Sequence, residues 1–275
     1  MTRIGLISDT HAPERLSKLP DTIFNALAGV DFIFHAGDVG ELWVLDQLSR
    51  IAPVFAVHGN DDSADSKREL PYQQVIVVKD QRILLTHSHF PNRDEELAFR
   101  QLDAWGGKLD RRSNWAKRAG ATIMVYGHSH VPMIKLHDNV LIVNPGAVAS
   151  GNYLSKQTLQ SVAVLEMKVS NKVWVTHINL ADGRSFAPQI DWEAGFHAAY
   201  NHTQESILPD WLAERWEQIN AIMQPAWPQF REALLRVGNR VWAGELPFIT
   251  PEVLLVELRK ENLPAVMMSQ LEVLL

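Results

Sequence analysis

A chain of 275 residues is long enough to bury a sizeable core, and 46% hydrophobic with 21% charged residues reads as an ordinary globular protein. Its formal net charge of −6 argues against broad affinity for nucleic acid or acidic membranes, so an anionic ligand would need local cations. Cysteine is absent, which excludes disulfides and thiolate metal sites and is compatible with a cytoplasmic location.

In chain order, residues 3–8 (RIGLIS), 31–36 (DFIFHA) and 53–58 (PVFAVH) are short apolar runs of strand length. The first is too short for the core of a signal peptide, and no apolar run of membrane-spanning length occurs, so no membrane association is expected. Helical spacing is predicted for 14–28 and 41–49, giving the strand–helix alternation of a parallel sheet. Residues 73–78 and 82–86 flank a Lys79-Asp80 turn, and a further strand is predicted over 122–126. Two more hairpins are expected, 132–136 with 140–144 around "HDN", and 160–167 with 172–178 around "SNK". Strand signals fade near residue 181. The amphipathic segment 208–223 and the stretch 250–260, opened by Thr250 as N-cap and Pro251, predict a helical extension over 181–275.

Polar residues follow each predicted strand: Asp9 and His11, then Asp38, Asn60 and Asp61, His87, and finally His128 and His130. Ligand sites form outside the carboxyl ends of parallel strands, so these side chains are expected on one rim. Oxygen and nitrogen donors without sulfur suit Mn, Fe or Zn, and their number exceeds what one tetrahedral ion needs. They fit two ions with a bridging carboxylate, an arrangement suited to phosphate-ester cleavage. His128 and His130, two apart in an extended segment, would then serve one ion each.

The motifs "SDTH" (8–11), "HAGD" (35–38), "HGND" (58–61), "THSH" (86–89), "YGHSH" (126–130) and "NPGA" (144–147) occur in that order. With them the chain resembles the calcineurin-like metallophosphoesterases, especially their small bacterial phosphodiesterase branch. The resemblance implies an α/β fold, a four-layer αββα sandwich of two mixed sheets flanked by helices, with residues 1–180 as catalytic domain and 181–275 as the helical extension. It also implies two divalent ions, Mn first, with Fe, Zn, Ni or Mg as alternatives. Asp9, His11, Asp38 and His130 would hold one ion, and Asp38, Asn60, His87 and His128 the other. The implied activity is hydrolysis of a small phosphodiester by a hydroxide between the ions, with Asn60 and His128 also contacting substrate. Phosphomonoesterase, dinucleoside polyphosphate phosphatase and protein phosphatase activities are the alternatives within the superfamily. A non-catalytic interaction scaffold on the same fold is the alternative from another class, and the intact ligand set argues against it.

The chain departs from the family at three places. Asp61 stands where many members carry a histidine that protonates the leaving group, which leaves that role between Asp61, His58 and water. His58 replaces a common arginine, and Ala147 a common serine. His35 and His89 are expected either behind the ligands, orienting them, or in simple packing. His137, His177, His197 and His202 are expected at the surface. The basic stretch 108–118 predicts a solvated helix or a cap over an anionic substrate. The tryptophans at 211, 216, 227 and 242 predict a small core in the extension, or else a homo-oligomer contact or a wall of the substrate cleft.

Overall fold

The computed structural model describes residues 1–275 except 153 and 169–171. The chain divides into two compact units, one of residues 1–150 and 157–204, the other of 151–156 and 205–275. The division thus falls near residue 204 rather than 181. The reason is α6 (Phe196–Thr203), whose Ala199 joins the first unit's hydrophobic core, with Phe196 and Tyr200 packed against it.

Two mixed sheets build the first unit. In one, β1 (Thr2–Ile7), β2 (Phe32–His35) and β3 (Val54–Ala56) run parallel, and β1 also pairs antiparallel with β9 (Ser161–Met167). On the other side of β9 lies β10 (Val173–Asn179), so the expected hairpin is present; its turn residues 169–171 lie outside the described residues. In the other sheet, β4 (Gln73–Val78) pairs antiparallel with β5 (Gln81–Thr86). The strands β5, β6 (Ile123–Tyr126) and β8 (Val140–Asn144) run parallel, and β7 (Met133–His137) closes the edge antiparallel to β8.

The two-residue period of the strands sorts their side chains into layers. Ile4, Leu6 and Phe34 share a buried cluster with Ile83, Leu85, Val125 and Val143, which places the two sheets face to face. Ile7 and Ile33 point the opposite way, onto Ile23 of α1 (Asp21–Ala26) and Val44 and Leu48 of α2 (Trp43–Leu48). Leu84, Met124 and Tyr126 pack outward against Trp105, Leu109 and Ala116 of α5 (Trp105–Arg118). Helix, sheet, sheet, helix is the resulting order. Helix α1 is shorter than the predicted 14–28 because Pro20 opens it as N-cap.

The second unit is helical: α7 (Asp210–Ala213), α8 (Trp216–Met223), α9 (Trp227–Trp242), α10 (Pro251–Leu258) and α11 (Ala265–Leu274). Leu212, Ile219, Phe230, Leu234, Leu254 and Leu271 share its core. Trp211, Trp216 and Trp227 pack against that core, and Trp242 donates Nε1–H to Ser155 O, so the tryptophans are core-building residues. Thr250 caps α10, accepting from the Val253 amide as its sequence signature predicts. Among the described residues no helix is long and apolar enough to cross a membrane.

Candidate metal centre

The carboxyl ends of β1, β2, β5 and β6 deliver the polar residues read from the sequence to one place. Asp9 Oδ1 lies 3.1 Å from His130 Nε2. Asp38 Oδ2 lies 3.1 Å from His87 Nε2 and 3.6 Å from His11 Nε2. His128 Nδ1 faces His87 Nε2 at 3.2 Å. Asp9, His11 and His130 form one group of converging donor atoms, and Asp38, His87 and His128 a second. His11, Asp38 and Asp61 form a third, so Asp38 belongs to two. Asn60 follows β3, and its Oδ1 is buried with no hydrogen-bond partner among the described residues.

The backbone is bent to make this possible. Asp9, His11, Asp38, His128 and His130 all have φ between 44° and 68°, the left-handed region that side chains rarely adopt. Such strain concentrates where surrounding structure over-determines it, typically at functional sites. Two glycines provide close approach instead. A Cβ at Gly59 would lie 2.1 Å from Asp38 Oδ1, and one at Gly127 would lie 2.6 Å from Ala36 O and 2.9 Å from Asp9 Oδ2.

Electrostatically the cluster is built around two buried anions. Burial would raise the Asp9 carboxyl, but His130 beside it wins and lowers it to about 2. Burial likewise opposes Asp38, which His87 and His11 hold well below the usual carboxylate range. Burial lowers His11 to about 3, helped by the Arg15 guanidinium. It acts on His87 too, yet the Asp38 carboxylate outweighs it and pushes that imidazole up to about 10. Two dry carboxylates, facing imidazole nitrogens and an unpaired amide oxygen are the donor chemistry of a divalent cation site.

Asp61 and His58 sit at the edge of this cluster. Asp61 accepts from Arg15 Nη2 at 3.1 Å, and its own amide donates to Asp38 Oδ1 at 2.8 Å. Burial and Asp38 raise its carboxyl, but His11 and Arg15 outweigh them and lower it. His58 lines a cavity of about 310 Å³ together with Asn60, Asp61, His89, Phe90 and Arg93. The cations on this cavity are Lys67 of α3 (Ala64–Glu69), Arg93 and Arg100.

The basic stretch of α5 is solvated only at its C-terminal end, where Lys117 and Arg118 are exposed in the last turn. Lys108 and Arg112 are buried, donating to Phe99 O and Lys108 O, and each lies over an aromatic ring. Arg111 donates to Ser88 O and sits 3.8 Å above the Phe90 ring. Their alkyl stems and planar heads fill the layer behind the site. His177 is also not at the surface: it is fully buried, with Nε2 2.7 Å from Asn144 O. His35 Nε2 contacts Thr10 Oγ1 at 3.1 Å, behind the cluster, whereas His89, with its ring 5.4 Å from that of His87, lines the cavity.

Two residues of the site escape sequence reasoning. Arg15 looks like one more exposed cation, yet it is buried and contacts His11, Asp61 and Ser150 O. Glu96, in α4 (Arg93–Gln101), looks like its neighbour Glu95, yet it is buried with Oε1 2.6 Å from His128 Nε2. Its only local signal is Arg100, one helical turn on.

A model of the calcineurin-like phosphoesterase superfamily domain matches residues 2–170. The chain belongs to this superfamily. It is 34% identical over 145 residues to a probable metallophosphoesterase of Methanothermobacter thermautotrophicus, covering 52% of this chain and 76% of that one. It is 28% identical over 145 residues to the Escherichia coli phosphodiesterase YfcE, covering 47% of this chain and 68% of that one. The fold is similar to that of vacuolar protein sorting 29 from Cryptosporidium parvum, with a TM-score of 0.53 at 23% identity over 67% of this chain and 94% of that one. The matched range contains every residue of the Asp/His cluster.

Proposed function

We propose that this phosphoesterase hydrolyses a small phosphodiester with two divalent cations, Mn first, held by the Asp/His cluster. The observation that carries the reading is that Asp38 belongs to two groups of converging donors, with His11 and Asp61 on one side and with His87 and His128 on the other. The donors fit a cation pair, since unpaired Asn60 Oδ1 and the His87–His128 nitrogen contact are satisfied by a shared positive charge. Asp9, His11, Asp38 and His130 would hold one ion, and Asp38, Asn60, His87 and His128 the other. Bound there, such a pair lowers the pKa of water towards neutrality and neutralises charge on the phosphoryl oxygens. That local charge explains how a protein of net −6 accepts an anion.

The remaining roles belong to the chain itself. Lys67, Arg93 and Arg100 give the cavity beside Asn60 a cationic wall for the substrate. Arg15 holds Asp61 as a carboxylate, so Asp61 orients its neighbours and does not donate a proton. The leaving-group proton is assigned to His58, which lines the cavity. Hydrolysis of bis(p-nitrophenyl) phosphate and p-nitrophenyl phosphate with added Mn tests the reading. Faster turnover of the diester is expected; equal or faster turnover of the monoester contradicts it.

A further inference from the structure

Helix α4 carries a carboxylate for which the proposed chemistry has no use. Glu96 is 3% exposed and is gripped from three directions. Its Oε1 accepts from Arg100 Nε at 2.6 Å, its Oε2 accepts from the Phe90 amide at 2.8 Å, and His128 Nε2 approaches Oε1 at 2.6 Å. Burying a glutamate is unfavourable unless its oxygens are well bonded, and two of these three partners would suffice to anchor the helix. The third contact points at the candidate metal cluster.

A neutral imidazole has one N–H and one lone pair, and the nitrogen that carries the proton cannot bind a cation. His128 Nδ1 is the nitrogen directed at His87 Nε2, which itself lies 3.1 Å from Asp38 Oδ2, and the three residues form one donor group. A carboxylate accepts and does not donate, so its short contact with Nε2 selects the Nε2–H form and leaves the Nδ1 lone pair facing inward. We infer that Glu96 is a positioning residue that fixes the tautomer and ring orientation of His128, so that Nδ1 meets the cation. This inference rests on the reading that His128 holds one of two ions. A carboxylate behind a ligating histidine raises metal affinity, typically by 10- to 100-fold.

The test combines two readouts on the full chain. Long-range ¹H–¹⁵N spectra of histidine-labelled, metal-free protein report which nitrogen of His128 is protonated, and calorimetric titration with Mn reports both affinities. Wild type is expected to show Nε2–H at His128. Glu96→Ala is expected to lose that signature and weaken one of the two Mn sites by about 10- to 100-fold, with the other unchanged. Glu96→Gln, whose amide oxygen still accepts from Nε2–H while its NH2 group faces the Phe90 N–H, keeps the tautomer and recovers part of the affinity. Arg100→Ala keeps the His128 contact and keeps the tautomer. Should Glu96→Ala fail to fold, Glu96→Asp, shorter by one methylene, takes its place. A folded Glu96→Ala protein with the wild-type tautomer and both Mn affinities intact overturns the inference, provided that His128→Ala has lost one site. If His128→Ala still binds two ions like wild type, the reading beneath fails and takes the inference with it.

Discussion

Asp38 of one sheet reaches His87 of the other, with Oδ2 and Nε2 3.1 Å apart, and the same oxygen lies 3.6 Å from His11. A carboxylate so placed belongs to both halves of the cluster. Replacing Asp38 by Asn is therefore expected to remove both ions together, whereas His130→Ala removes one. Elemental analysis of purified proteins checks this. Phosphodiester turnover of the Asp38 variant should fall by at least about 10³-fold, on the scale of losing electrostatic stabilisation by the cations.

His58 is expected to matter according to the leaving group. With a p-nitrophenyl ester, which departs as a stable phenolate, His58→Gln should change kcat little. With an alkyl leaving group, the same variant should lose about 10²- to 10⁴-fold, the usual contribution of a general acid. An equal loss on both substrates would remove His58 from proton transfer.

Gly127 and Gly106 should respond oppositely to alanine. Gly127 has an ordinary φ, so its constraint is space: a Cβ would meet Ala36 O at 2.6 Å and His87 Nδ1 at 3.0 Å. Gly127→Ala is expected to destabilise by about 1–3 kcal/mol and to impair metal binding. Gly106 lies in α5 with nothing within 4 Å of its Cβ position, so Gly106→Ala should be neutral or stabilise by up to about 1 kcal/mol. Urea denaturation of the two variants decides the contrast.

His177 should give the fold a pH dependence of its own. Burial lowers its imidazole to about 4, although its bond to Asn144 O works the other way. Between that value and the unfolded value of about 6.5, the unfolded chain binds a proton that the folded chain does not. The stabilisation is complete above pH 6.5 and is lost as pH falls towards 4. Between pH 7.5 and 5 this amounts to about 2 kcal/mol, and His177→Gln is expected to lose that part of the slope. Unfolding free energies at the two pH values check it, and an unchanged slope would contradict it.

The strands and the ligand-bearing loops were legible because their causes are local. Short apolar runs ending in Asp, Gly and His mark β1, β2 and β6, and the motif order places Asp9, Asp38 and His128 on one rim. What escaped depends on tertiary burial. Lys108 and Arg112 read as surface cations, and only the aromatic rings of Phe99 and Tyr126, brought close by the fold, turn them into packing residues. Arg15 and Glu96 are hidden for the same reason, since their partners Asp61 and His128 are distant in sequence. The unit boundary was misplaced because α6 follows a loop-like stretch but buries Ala199 in the first unit.

Anomalous diffraction from crystals grown with Mn tests the cation pair most directly. Two peaks are expected, flanking Asp38, one beside Asp9, His11 and His130 and the other beside Asn60, His87 and His128. A single peak, or none near Asp38, would contradict the account.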